Sequence, residues 1–297
     1  MINLAIYSPI EEIRYPVFQQ KEVRVFVKRD DLIHPYISGN KWRKLKYILN
    51  EAESQDKKHL VSFGGAYSNH LLATACAAAK FGFSSTGIVR GEEVNNPTLT
   101  LCRLFGMKLI FIDRESYRYK HELFDKYFKQ DPNAFFIDEG GAGEAAVLGC
   151  SELIDELADT YDHIFCAAGT GSTAAGILKG LEKNRLQTKL NVIPVLKGAG
   201  FLKDEIVNFS SNSSFNFYQN YHFGGYAKTT PELLEFIKSF SRSTGILIDP
   251  VYTGKMFYSL FDLISKDEFP PQSRILAIHT GGSLGILGMA EQFHETA

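Results

Sequence analysis

The chain contains little cysteine and no pattern typical of a metal site. Its 297 residues include four cysteines, with no Cys-x-x-Cys pair and no Cys/His spacing typical of zinc. They stand far apart, at Cys76, Cys102, Cys150 and Cys166. We therefore predict reduced, packed thiols, no bound metal and a cytoplasmic location.

Long apolar runs and a charge excess are also missing. No window approaches the roughly 20 apolar residues needed to cross a bilayer, and no basic region precedes the short apolar stretch at the N-terminus. We expect neither membrane insertion nor export. With 32 basic and 34 acidic residues, the net charge of -2 provides no global field for nucleic acid or anionic membranes. A small, locally recognised ligand is favoured.

No low-complexity tract interrupts the chain, whose length favours two lobes over one core. After an irregular start, apolar strand patterns alternate with helical ones, which is typical of parallel sheets buried on both faces. An irregular connection is predicted at 208–222. Predicted strands lie at 23–28, 59–63, 85–89, 108–112, 134–138, 162–168, 190–196 and from 274 onward, and predicted helices at 41–53, 68–79, 98–105, 121–128 and 173–181.

A glycine-rich segment, Ala167–Gly176, joins an apolar strand to a helix and is the first candidate site. The start of a helix offers free N–H groups and a positive dipole end, which bind phosphate. The spacing is not Gly-x-Gly-x-x-Gly, and the next strand ends without an acidic residue for a ribose, so a single phosphate is favoured over a dinucleotide. A plain turn is the alternative. The candidate phosphate ligands are Gly169, Thr170, Gly171, Ser172 and Thr173.

Lys41 is the second candidate, because it stands at the predicted start of a helix, after Gly39 and Asn40. A cation there opposes the helix dipole. The positive helix end, with Arg43 and Lys44 nearby, would lower the pKa of the amine, as a lysine that forms a Schiff base near neutral pH requires. The alternative is a solvated surface lysine, with Arg43 and Lys44 on a solvated helix face.

Two further segments place polar groups at helix starts. Ser62–His70 ends in Ser68, Asn69 and His70, whose side chains and free amides could bind a carboxylate, although Ser68 also fits an N-cap. Asp249–Lys255 combines turn residues with a tyrosine and a threonine before a helix.

Together and in this order, these segments resemble the fold-type II pyridoxal-phosphate (PLP) family that contains 1-aminocyclopropane-1-carboxylate (ACC) deaminase and D-cysteine desulfhydrase. The similarity runs from VKRDDL at Val27 through GNKWRKL, GGAYSNH, AAGTGSTAAG, the GGY at Gly224, LIDPVYTGK and IHTGG. It implies a two-domain α/β fold like the tryptophan synthase β subunit, with open, mostly parallel sheets flanked by helices. We expect a large PLP-binding domain at 1–53 and 151–297, a small α/β domain at 54–150, and a homodimer.

The resemblance also implies roles for the candidate residues. Lys41 would hold PLP as a Schiff base, Asn69 would bond its phenolic oxygen, and the glycine-rich segment would cradle its phosphate. Thr253 would face the ring nitrogen. The implied catalytic residues are Lys41, Ser68, Tyr226 and Tyr252, and the implied substrate-binding residues are Ser68, Asn69 and His70.

Thr253 narrows the predicted reaction. ACC deaminases resemble DPVYEGK where this chain has DPVYTGK. A carboxylate facing the ring nitrogen makes the ring a strong electron sink, as opening a cyclopropane requires, whereas a neutral hydroxyl gives a weaker one. β-Elimination expels thiolate or chloride readily, and the SNH sequence in place of SNQ favours the same reaction. We therefore predict D-cysteine desulfhydrase-like chemistry giving pyruvate, ammonia and sulfide.

Other functions stay open from sequence. ACC deamination is the alternative within the family, and a racemase or another lyase of D-amino acids also fits. A non-catalytic module binding a phosphorylated ligand through the Gly169 loop is the alternative of a different class. For catalysis, Lys41 is the default base, with Tyr252 or Ser68 on the opposite face.

Overall fold

The computed structural model describes residues 1–210 and 214–293, which form ten strands, ten α-helices and several 3-10 turns. The strands are β1 Ile10–Ile13, β2 Arg24–Lys28, β3 His59–Gly65, β4 Ser84–Arg90, β5 Lys108–Ile112, β6 Ala134–Ile137, β7 His163–Ala168, β8 Lys189–Pro194, β9 Asn216–Phe217 and β10 Arg274–Ile278. The helices are α1 Pro16–Gln20, α2 Asn40–Ser54, α3 Asn69–Phe81, α4 Pro97–Leu104, α5 Lys120–Phe128, α6 Glu144–Asp155, α7 Ser172–Lys183, α8 Phe201–Val207, α9 Pro231–Thr244 and α10 Thr253–Ser265.

The larger sheet has the strand order β1-β2-β10-β7-β8-β9 among the described residues. β1 is antiparallel to β2, and the remaining pairs are parallel. Alternate side chains of β7 enter different cores: Phe165 packs with α9 and α10, whereas Ile164 and Cys166 pack with α6, α7 and α8. Helices thus cover both faces, which explains the continuous apolar strands in the sequence.

The smaller sheet has the order β5-β4-β3-β6 and is parallel throughout its described strands. On one face, Val61 and Phe63 of β3 pack against α5. On the other face, Leu60 packs with α2 and α3. Each sheet therefore has its own cores, and α2 contributes Trp42 to the core under the smaller sheet.

The buried residues of α2 include charged side chains as well as apolar ones. Arg43 and Lys44 are only 1% and 2% exposed, so the alternative of a solvated helix face is wrong. The Arg43 guanidinium forms two bonds to the Asp30 carboxylate, at 2.6 and 2.7 Å, and two to Glu156. Because a buried charge is costly unless it is paired, this network keeps the start of α2 attached to the larger sheet and α6.

Two segments that the sequence predicts as irregular contain secondary structure. The N-terminal segment forms β1 and α1, and the connection at 208–222 includes β9 and a 3-10 turn at Gln219–Tyr221, while its residues 211–213 lie outside the described part. Both strands are short and lie at sheet edges, so their sequence patterns are weak. No helix in the described ranges is long and apolar enough to cross a membrane.

Candidate active site

A cavity of about 630 Å³ lies where the carboxyl ends of parallel strands from both sheets meet. Ligand sites in open α/β folds form at such strand ends. Of the twelve predicted site residues, ten line this cavity: Lys41, Ser68, Asn69, His70, Gly169, Thr170, Gly171, Thr173, Tyr226 and Tyr252. Ser172 and Thr253 are buried and do not line it.

Lys41 lies in the first turn of α2, held by close contact with the segment after β10. A Cβ on Gly39, whose φ is +59°, would lie 1.9 Å from the Thr280 carbonyl oxygen, so only glycine permits this approach. The backbone N–H of Asn40 donates to the same oxygen at 3.3 Å. Burial, with the charge of Lys44 second, lowers the pKa of Lys41 to about 7. A large neutral fraction near pH 7 makes this amine a nucleophile.

Lys44 is a cavity residue that the sequence interpretation missed. Its ammonium donates to the Gly140 carbonyl oxygen at 3.0 Å and lies 3.5 Å from the Thr170 hydroxyl. Burial lowers its pKa. The available signal was its spacing, because residues three apart share one face of a helix. The cavity thus holds a second amine, next to the glycine-rich segment.

The glycine-rich segment leads from β7 into α7. Gly171 has φ +80° and caps the helix, whose first N–H groups have no partner within the helix. The Asn40 side-chain amide donates to the Thr173 hydroxyl at 2.9 Å, so the starts of α2 and α7 are joined directly. Ser172 instead turns its hydroxyl toward Thr170, at 3.4 Å.

The start of α3 borders the cavity together with the starts of α2 and α7. The Ser68 hydroxyl caps the helix by accepting the Leu71 N–H at 3.2 Å, and Asn69 lies against Gly282. His70 is buried, with Nε2 2.8 Å from the Ser62 hydroxyl. Its Nδ1 has no hydrogen-bond partner in the part of the chain that the structure describes. Burial, followed by the charges of Lys41 and Lys44, places the pKa of His70 well below its usual value, so the ring is neutral.

Two tyrosines face each other at the cavity wall. The rings of Tyr226 and Tyr252 meet edge to face, with centroids 6.1 Å apart. Tyr252 also packs on Gly169, where a Cβ would lie 2.9 Å from its ring. Burial raises the pKa of both hydroxyls, most strongly that of Tyr252, so each is a protonated donor at neutral pH.

Thr253 is engaged behind this wall. Its hydroxyl donates to the Asp249 carboxylate at 2.7 Å and accepts the Asp249 N–H at 2.9 Å. That carboxylate also accepts the N–H groups of Val251, Tyr252 and Thr253. Asp249, which sequence reasoning left without a role, therefore shapes the turn that presents Tyr252. The sequence feature that indicates this role is an aspartate at the start of a turn that leads into a helix.

The model of the pyridoxal-phosphate dependent enzyme family matches residues 6–281. The chain is a member of this family. An Arabidopsis thaliana relative, named bifunctional D-cysteine desulfhydrase/ACC deaminase, is 31% identical, with 90% of this chain and 74% of that protein covered. A Pyrococcus horikoshii protein provisionally named ACC deaminase is 32% identical, with 88% and 85% covered. The crystal structure of an ACC deaminase homologue matches with a TM-score of 0.88 and 29% identity, covering 98% of this chain and 94% of that one.

The predicted family, fold class and cofactor are therefore confirmed, and the enzyme is a PLP-dependent deaminase or lyase. Its cavity fits this cofactor chemically. Lys41 offers an amine with a pKa of about 7 for a carbonyl carbon, and the start of α7 offers N–H groups and a positive dipole end for a phosphate. The individual site residues stay predictions.

Proposed function

We propose that the enzyme catalyses β-elimination on small D-amino acids, with D-cysteine as the representative substrate. D-Cysteine and water would yield pyruvate, ammonia and hydrogen sulfide. The C–S bond breaks as the α-proton leaves, the electron pair departs with sulfur, and water later replaces nitrogen at the α-carbon.

The observation that carries this proposal is the neutral residue after Tyr252. Thr253 is fully buried, and its hydroxyl proton bonds to Asp249. Thr253 does not line the cavity, but it is the residue predicted to face the ring nitrogen of PLP, and a hydroxyl in this state would bring no negative charge to that nitrogen. The Asp249 carboxylate is itself occupied by four hydrogen bonds from the 251–253 turn. Such a site favours a substrate with a good leaving group over one that needs the strongest electron withdrawal.

Different protein groups would transfer protons and bind the substrate carboxylate. PLP, when bound, supplies an electron-withdrawing ring that stabilises negative charge at the substrate α-carbon. Lys41, with its lowered pKa, would take the α-proton and can return it near neutral pH. Tyr252 and Ser68 are the proposed proton donors or acceptors on the opposite face. The first N–H groups of α3, at Asn69 and His70, would hold the substrate carboxylate.

ACC deamination is the second candidate, because two relatives carry that name, one of them together with D-cysteine desulfhydrase. It would use the same amine and the same phosphate site. The two candidates differ in the leaving group, since a cyclopropane releases its electrons only by ring opening.

A parallel assay tests the proposal. Purified holoenzyme would be given D-cysteine, β-chloro-D-alanine, D-serine, L-cysteine and ACC, with ammonia and keto-acid release measured for each. We expect release from D-cysteine and β-chloro-D-alanine, little from L-cysteine, and none from Lys41→Ala. Release from ACC alone would contradict the proposal. A phosphate-binding module would release nothing and show unchanged ligand binding in Lys41→Ala.

A further inference from the structure

The cavity wall on the side of the smaller sheet carries four charged side chains that the proposed function does not use. They are Arg90, Lys120, Asp138 and Glu139. Charged side chains facing a ligand cavity either neutralise one another or recognise charge on the ligand. Their pairing distances distinguish these two roles residue by residue.

Three of the four are well paired. The Lys120 ammonium lies 3.1 Å from the Asp138 carboxylate and 3.3 Å from that of Glu139. The Arg90 guanidinium forms an ion pair only with Glu139, at 3.9 Å, and it donates no hydrogen bond to any group within residues 1–210 and 214–293. Its side chain stays 42% exposed. Arg43 forms four short bonds to carboxylates, whereas the guanidinium donors of Arg90 are unused within the described residues.

The strand register explains where this guanidinium lies. Arg90 ends β4 opposite Gly65, which ends β3, so their side chains would share one face of the sheet. Because Gly65 has no side chain, Arg90 lies across the end of β3, with Nη2 3.7 Å from the position a Cβ would take. The guanidinium also lies over the Tyr117 ring, 5.5 Å from its centroid. An aromatic face holds the planar cation without occupying its donors.

Arg90 therefore lies beside the turn that leads into α3. The Ser68 N–H donates to the Gly65 carbonyl oxygen at 3.0 Å, which closes this turn at the glycine beside the guanidinium. The next N–H groups, at Asn69 and His70, begin α3 and have no partner within the helix. A forked cation and a helix N-terminus on one cavity wall are complementary to a carboxylate, which accepts both kinds of bond.

We propose that Arg90 binds a carboxylate of the amino-acid substrate. This inference rests on the proposed function, because it assumes an amino acid in the cavity. The carboxylate has two possible sources: the α-carboxylate that every amino acid carries, or a second carboxylate on the group attached at the β-carbon. Glu139 sets the resting position of Arg90, and Arg90 turns from it toward the substrate.

The experiment compares holoenzyme with Arg90→Gln and Arg90→Lys. The matched control is Arg103→Gln, an α4 arginine that pairs with Glu93 outside the cavity. D-Alanine, D-aspartate and D-alaninamide, which lack a β-leaving group, serve as probes, and their dissociation constants are read from the visible spectrum of the bound cofactor. An unchanged spectrum before probe addition shows that Arg90→Gln leaves the cofactor site intact.

We expect Arg90→Gln to weaken D-alanine and D-aspartate binding about 10- to 100-fold if the α-carboxylate is held, with Arg90→Lys intermediate and Arg103→Gln unchanged. A loss confined to D-aspartate assigns Arg90 to the second carboxylate. D-Alaninamide binding should change less than twofold in either case. Equal affinities of wild type and Arg90→Gln for both acids would overturn the proposal, whereas wild-type inactivity on D-cysteine and ACC would overturn the proposed function separately.

Discussion

At the scale of single residues, one lysine near the start of α2 influences the ionisation of another. The charge of Lys44 helps to lower the pKa of Lys41 to about 7. Lys44→Gln removes that charge, so the pKa of Lys41 should rise toward its usual value and less neutral amine should remain at pH 7. We expect the rate of PLP incorporation into apo-enzyme to rise with pH around a midpoint near 7 in wild type, and around a higher midpoint in the variant, with a several-fold slower rate at pH 7.

Lys44→Arg is the matched control, because it keeps the positive charge. Its midpoint should stay near that of wild type even if hydrogen bonds to Gly140 and Thr170 change. A midpoint that is the same in Lys44→Gln and wild type would show that burial alone sets the pKa of Lys41.

Residue identities gave most of the candidate site, but not the burial that activates it. Motif order identified Lys41 and the glycine-rich segment, and ten predicted residues line one cavity. Spacing places Lys44 on the same helix face as Lys41, but it does not show that this face borders a cavity, or that Thr253 bonds to Asp249 behind the cavity wall. Both facts depend on tertiary packing, which local sequence does not encode.

At the scale of elements, α2 and α6 pack closely enough to be sensitive to one methyl group. A Cβ on Gly149 of α6 would lie 1.8 Å from the Arg43 carbonyl oxygen, in the first turn of the helix that carries Lys41. Gly149→Ala must therefore separate the two helices. We expect the free energy of unfolding to fall by about 3 kcal/mol or more, with weaker PLP binding, measured by urea titration and by cofactor release.

Gly200→Ala is the control for this substitution. Nothing lies within 4 Å of a Cβ at Gly200, whose φ of -54° suits alanine. The free energy of unfolding of Gly200→Ala should differ from that of the wild type by less than about 1 kcal/mol, and any change should be an increase. Equal effects of the two variants would exclude close packing as the cause.

α6 itself shows why some elements escaped prediction. It packs on α2 through Gly149 and on α7 through Cys150, which lies 2.4 Å from a Cβ placed on Gly176. A helix buried on two sides has no single apolar stripe, so its periodicity is weak. For α2 and α7, in contrast, the predicted bounds of 41–53 and 173–181 agree with the observed ones to within two residues at either end.

At the scale of the whole molecule, strand and helix alternation predicts mostly parallel sheets, and the predicted small domain at 54–150 contains all four strands of the smaller sheet. The strands between 59 and 137 form the smaller sheet, and those before and after it form the larger one. The proposed domain boundary at 150 falls inside α6, which runs from Glu144 to Asp155. The domain division, the homodimer, the cytoplasmic location and the absence of nucleic-acid partners stay predictions.

Histidines in different parts of the fold should make the whole enzyme sensitive to acid. Burial lowers the pKa of His34, His70 and His163, so the folded state binds fewer protons than the unfolded chain. Stability is then fully present above the unfolded pKa of about 6.5 and is lost as pH falls below it, by up to about 1.4 kcal/mol per pH unit for the buried His70. Urea titrations at pH 7.5, 6.5 and 5.5 would measure this loss. His70→Gln should reduce the dependence of the free energy of unfolding on pH below pH 6.5. His121→Gln, at an exposed position, should leave this dependence unchanged. Equal dependence in the wild type and both variants would assign the acid sensitivity to groups other than His70.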